Sequence, residues 1–98
     1  MDSHQADITL QNGRLMVSGQ LDFGNVMSVY EKSLALFERC AELNIDFSPL
    51  KSSDSSGIAL VIEWIKYAKQ HHKAIQLINF PQDLKSIVKA ARLEKIVK

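Results

Sequence analysis

Two long stretches of helical periodicity, each set between short apolar runs, restrict this chain to a sheet whose strands are joined by helical crossovers. Val26, Val29, Tyr30, Phe37 and Cys40 recur at helical spacing, and Glu31, Lys32, Glu38 and Arg39 fall largely on the opposite, solvated side. Leu43 to Phe47 follows as a strand with Leu43, Ile45 and Phe47 on one face. Pro49 ends it, because proline cannot donate to a sheet ladder. A second helical pattern starts near Gly57 and runs to about Gln70, and the apolar run Ala74 to Asn79 comes next. Phe80-Pro81-Gln82-Asp83 then opens another helix with proline in its first turn and Leu84, Ile87, Val88 and Ala91 as its buried stripe. The tail Leu93 to Val97 extends that helix or packs back as a short segment.

Ahead of the first helix, Ile8 and Leu10 alternate with polar residues, as do Leu15 and Val17, on either side of Asn12-Gly13. Asn-Gly between alternating runs is a hairpin signal. Gly19-Gln20-Leu21-Asp22 closes the second strand, and Phe23-Gly24-Asn25 begins the helix with Asn25 as its cap. The order β-β-α-β-α-β-α predicts an α/β fold: a mixed, mainly parallel four-stranded sheet with three or four helices. Right-handed crossovers put consecutive helices on one face if the strand order keeps advancing one way. The 98 residues suffice for a single domain, 1–98, with one core.

Composition removes several functions. A net charge of +1, with no basic cluster interleaved with aromatics, argues against nucleic-acid binding. No apolar run approaches the ~20 residues of a membrane helix, and the polar start Met1 to Asp7 is no signal peptide, so the chain reads as cytoplasmic. The single cysteine, Cys40, fits a reducing compartment and a packing role. His71-His72 is not a metal pair, since adjacent helical positions diverge, and with Lys69 and Lys73 it suits a helix C-terminus. Nucleotide-loop, nucleophile-elbow and zinc-protease signatures are absent, so neither an enzyme nor a cofactor or metal is expected.

Attention therefore falls on Leu50-Lys51-Ser52-Ser53-Asp54-Ser55-Ser56-Gly57, a Ser/Asp/Gly loop between a strand and a helix. Such a loop presents hydroxyls and N–H groups at a helix start, where an anion or a phosphoryl group is tolerated. Local chemistry alone favours a plainer role, with Asp54 or Ser55 capping the helix. Within that helix Ile58, Val61, Ile62, Ile65 and Ala68 form the stripe that faces the sheet. Leu60, Trp64, Tyr67 and His71 form a second stripe about 120° away. Two readings stand open: a neighbouring helix covers Leu60 and Trp64, or they and Tyr67 anchor a partner surface beside Ser55.

Asp54-Ser55-Ser56-Gly57-Ile58 after the strand Ile45-Asp46-Phe47, together with Val17-Ser18-Gly19-Gln20-Leu21-Asp22, resembles the STAS domains (sulfate transporter and anti-sigma factor antagonist). The resemblance spans Leu15 to Val97 and implies the same mixed sheet. In bacterial anti-sigma factor antagonists the first serine of the motif is phosphorylated by a partner kinase, which implies Ser55 here. Gly57 to Lys66 and Ile78 to Leu84 are similar to another branch, the small STAS subunit of the Mla phospholipid ABC transporter of Gram-negative bacteria. That likeness implies a non-catalytic subunit that docks on an ABC transporter ATPase, cytoplasmic and peripheral to the inner membrane through its partner. The docking residues are then Ser52, Ser53, Asp54, Ser55, Ser56 and Gly57 with Leu60, Trp64 and Tyr67. The Phe23-Gly24-Asn25 stretch departs from the antagonist pattern. An antagonist of an anti-sigma factor kinase, controlled by phosphorylation of Ser55, is the rival reading, and the same surface is available for self-association.

Overall fold

A computed structural model of the chain describes residues 5–82 and residue 85. Of the expected third helix, Gln82 and Lys85 are described and helical, while Leu84, Ile87, Val88, Ala91 and the tail Leu93 to Val97 lie outside the described residues. Strand β1 (Ala6–Gln11) pairs antiparallel with β2 (Arg14–Leu21) from Ala6↔Gly19 to Gln11↔Arg14. Asn12 at φ 52° and Gly13 at φ 78° make the turn, the left-handed pair that a two-residue hairpin requires. Gly19, at φ 86°, is constrained from a second side: a Cβ there would sit 2.0 Å from the Gln5 carbonyl oxygen. That oxygen accepts the Gln20 N–H at 2.8 Å, and the ladder shifts register between Gly19 and Gln20.

Helix α1 (Val26–Phe37) crosses to β3 (Glu42–Asp46), and α2 (Ser56–Gln70) crosses to β5 (Ala74–Ile78). The strand order β1-β2-β3-β5 advances in one direction with β2/β3 and β3/β5 parallel, so right-handed crossovers carry both helices to the same face. Ile8, Leu15, Val17, Leu43, Ile45 and Leu77 point to that face and are fully buried. The opposite face carries Thr9, Met16, Asn44 and Asp46. Asp46 is buried yet well satisfied: its carboxylate accepts the Ser48 N–H at 2.8 Å, the Asn79 amide at 3.2 Å and Arg14 at 3.2 Å. Burial pushes the Asp46 carboxyl up, but the Ser48, Asn79 and Arg14 hydrogen bonds together outweigh it and hold the group below its ordinary 3.8.

The sheet has five strands, not the expected four. Leu50–Ser53, read from sequence as loop, forms β4 and pairs parallel with β2 through Gly19↔Leu50, Gln20↔Ser52 and Leu21↔Ser53. Because β1 occupies the other edge of β2, β3 and β4 lie end to end on the same edge. The turn at Ser48-Pro49, closed by Leu50 N–H to the Phe47 carbonyl at 2.9 Å, separates them. β3 ends at Asp46, ahead of Pro49, where the Ser48 N–H turns back to the Asp46 carboxylate, and the long central strand β2 then draws the chain back into the ladder.

Candidate functional site

The sheet order places the carboxyl ends of β2 and β4 beside the start of α2, and the loop after β2 folds over it. Asp54 N–H donates to the Leu21 carbonyl at 3.1 Å, which ties the loop to β2. The Asp54 carboxylate accepts the Ser56 N–H at 2.8 Å and the Ser56 hydroxyl at 2.5 Å. The Ser56 hydroxyl, outweighing a smaller effect of desolvation in the opposite sense, holds the Asp54 carboxyl below 3.8, assisted by the backbone N–H groups of Ser56 and Phe23. Of the two candidate caps it is therefore Asp54 that satisfies the first turn of α2. Ser55 stands at the cap position with φ −64° and makes no side-chain cap bond. Its side chain is exposed.

The cap of α1 also differs from the sequence-based expectation. Asn25 holds the cap position without a cap bond. Its side chain reaches back instead, accepting the Asp22 N–H at 3.0 Å and donating to the Gln20 carbonyl at 2.8 Å. It braces the end of β2 and the turn that carries Phe23. Phe23 is 74% exposed and Met27 62% exposed, the large hydrophobic residues that the described fold leaves in water.

The predicted docking residues divide into three groups. Ser52 and Ser55 are exposed, Asp54 is exposed and committed to its cap, and Ser53 is half-buried with its hydroxyl donated to the Asp54 carbonyl at 2.8 Å. Ser56 and Gly57 are buried in the first turn of α2 and offer no side chain to a partner. Leu60 and Trp64 overturn the expected apolar surface, because α1 covers both; Leu60 is 3% exposed and Trp64 is 0% exposed. The Trp64 ring meets Phe37 edge-on at 5.8 Å and Phe47 at 6.1 Å, and its indole N–H donates to the Ser33 hydroxyl at 2.9 Å. Tyr67 is half-buried, tilted on Phe37 at 5.3 Å and stacked on His71 at 3.9 Å. Burial, then the nearby Glu38 charge, raises its phenol above 10.0. The second apolar stripe of α2 is thus a helix–helix contact.

A cleft of about 490 Å³ beside β4 is lined by Ser52 and Ser53 with Lys51, Asn79 and Lys85. A smaller groove of about 210 Å³ lies between α1 and α2, formed by Val26, Met27, Tyr30, Ala59, Leu60 and Glu63. Sequence reading passed over Phe23 and Met27 as parts of the surface. The signal was present in Met27, an apolar residue one turn before Glu31 on the side of α1 otherwise given to charge. Among the described residues no group of three His, Cys, Asp or Glu side chains could hold a metal ion, and no helix is long and apolar enough to cross a membrane.

A one-sided, mixed five-stranded sheet with a serine exposed at the start of its second crossover helix defines an α/β domain of known fold. The chain superposes on the Bacillus cell fate determinant SpoIIAA in its phosphorylated form with a TM-score of 0.73, covering 96% of this chain and 89% of that one at 19% identity. No curated protein matches it in sequence. The chain belongs to the STAS domain family: the family model described as "Mlab, STAS domain" matches residues 4–98.

Proposed function

We propose that this protein is a non-enzymatic STAS subunit that docks on the ATPase of an Mla-type phospholipid ABC transporter and regulates its assembly. It then acts in the cytoplasm, at the inner membrane, through that partner. The observation that carries this reading is the exposed Ser55, held at an Asp54-capped helix start beside exposed Phe23, within a chain matched by the Mlab-type family model. Apolar side chains left in water next to a fixed polar contact are what a binding surface needs.

The docking face is the outer side of the loop at Ser52 and Ser55 together with Phe23 and Met27; the buried Leu60 and Trp64 support it from beneath. A neutral hydroxyl at Ser55 packs against the partner at little desolvation cost. A phosphate or a carboxylate there adds charge beside Asp54 and must be stripped of water on docking, which weakens the contact.

The second reading, an anti-sigma factor antagonist switched by phosphorylation of Ser55, draws support from the fold shared with SpoIIAA, a protein whose structure was solved phosphorylated. Affinity capture of the tagged protein from its own cells separates the two. Recovery of an ABC ATPase with its permease supports the transport reading. Recovery of a GHKL-type kinase, with phosphate on Ser55, replaces it by the antagonist reading.

A further inference from the structure

Past the last rungs of the sheet, two segments of chain part and leave a cleft between them. The β3/β5 ladder closes with Asp46↔Ile78 and with the Phe47 N–H donating to the Ile78 carbonyl at 2.9 Å. Beyond it, Ser48-Pro49 carries one segment across to β4, which pairs with β2 alone among the described strands. Asn79, at φ 55°, turns the other segment away, in a left-handed conformation that asparagine adopts more readily than most residues. The space between them is about 490 Å³, within the roughly 300–1,000 Å³ of small-molecule sites. It lies at the carboxyl ends of parallel strands, where open α/β sheets hold their ligands. Buried Phe47 and Phe80, edge-on at 5.1 Å, and half-buried Leu50 give it an apolar floor.

The charge of the lining has one sign. Exposed Lys51 and half-buried Lys85 both border the cleft, and neither has an ion-pair partner among the described residues. Ser48, Ser52, Asn79 and Gln82 add hydroxyls and carboxamides, and no described carboxylate joins them. The carboxylates beside it are committed elsewhere: Asp46 accepts from the Ser48 N–H, Asn79 and Arg14, and Asp54 accepts from Ser56. The outer edge of β4 contributes backbone N–H groups as well, because a strand paired on one side leaves alternate groups open on the other. We propose that this cleft binds a small phosphomonoester, with the phosphate between Lys51 and Lys85 and a compact apolar body over Phe47 and Phe80. A phosphomonoester carries about −1.5 to −2 charge at pH 7 and three acceptor oxygens, which matches two ammonium groups and a surplus of donors. A carboxylate brings one charge and leaves a lysine unmatched. Occupancy of the cleft is independent of which protein docks at Ser55.

Nitrogen–proton correlation NMR of the full chain, titrated with phenyl phosphate, reads the site residue by residue. Saturable shifts at Ser48, Lys51, Ser52 and Asn79, with a Kd of about 1 mM or below, are the expected result. Lys51→Gln and Lys85→Gln are each expected to weaken binding about threefold to tenfold, and the double variant to abolish saturation. Lys66→Gln removes the same charge from the exposed side of α2, where Lys66 pairs with Glu63, and leaves the affinity unchanged. The same spectra verify that every variant is folded. Shifts that stay linear to about 10 mM, or an equal loss in Lys66→Gln, would overturn the site. Benzoate bound as tightly as phenyl phosphate would overturn the choice of a phosphomonoester, and inorganic phosphate bound as tightly would overturn the apolar body. Binding confined to vesicles of phosphatidylcholine with phosphatidic acid would give the lysines to a membrane surface and overturn a free ligand. Each outcome is read without the ATPase, so failure here leaves the docking reading standing.

Discussion

Replacing Trp64 by alanine decides whether this residue supports the docking face from beneath or forms it. Its side chain is fully buried, packed on Phe37 and Phe47, and its N–H donates to the Ser33 hydroxyl at 2.9 Å. Truncating a buried Trp in this setting costs about 3–5 kcal/mol, the transfer free energy of the ring plus the cavity it leaves. A chain of this length has roughly 5–15 kcal/mol in total, so Trp64→Ala lowers the melting temperature by about 15–30 °C. Ser33 keeps its own bond to the Tyr30 carbonyl at 2.5 Å, so the hydroxyl is not stranded when the indole is removed. The reverse change is harsher on polar grounds: Ser33→Ala strands the buried indole N–H at about 1–3 kcal/mol. Trp64→Phe removes that donor and keeps most of the ring. The pair Ser33→Ala with Trp64→Phe therefore loses less than the sum of the single changes, by about 1 kcal/mol or more. Urea unfolding followed by circular dichroism reads all four variants against the wild type. Trp64→Ala with an unchanged midpoint, or additive single changes, would refute the burial of this residue between the helices.

Gly19→Ala should destabilise by at least about 2 kcal/mol, because the left-handed backbone and the Gln5 carbonyl both exclude a Cβ; an unaltered urea midpoint would count against the contact. Asp46 and Asp54 both have carboxyls lowered below 3.8 in the folded protein. Their stabilising effect is thus complete above the unfolded value of about 3.9 and is lost as pH falls through the lower folded values. The stability gap between wild type and Asp46→Asn should be constant from about pH 5 to 7 and shrink below about pH 4, measured by urea midpoints across that range. Ser55→Ala and Ser55→Glu should both stay within about 0.5 kcal/mol of wild type, since the side chain is exposed and makes no cap bond. Of the two, Ser55→Glu alone should lose its partner in a capture assay.

Much of this architecture could be read before any coordinates, and the exceptions have identifiable causes. The hairpin followed from Asn12-Gly13 because a left-handed pair of residues is a local requirement. The placement of both helices on one face followed from the handedness of crossovers. Strand β4 escaped notice because Lys51, Ser52 and Ser53 carry no apolar alternation; their pairing is imposed by β2 from more than thirty residues away. The width of the apolar arc on α2 was evident, but what covered it was not. The clue lay in Ser33, one turn from Val29 and one from Phe37 on the buried stripe of α1. A hydroxyl at such a position needs a polar partner, and the Trp64 indole is that partner. The candidate site was half legible: its serine stood out by motif, whereas Phe23 and Met27 became visible once the fold showed that nothing described covers them.

In the proposed function a neutral Ser55 is a contact for an ABC ATPase. The decisive experiment is binding of that purified ATPase to wild type, Ser55→Ala and Ser55→Glu, each verified as folded. Tight binding by wild type and Ser55→Ala, with a loss of about tenfold or more for Ser55→Glu, is the expected result. Equal binding by all three would remove Ser55 from the contact, and an ATPase that ignores the wild-type protein would contradict the claim as a whole.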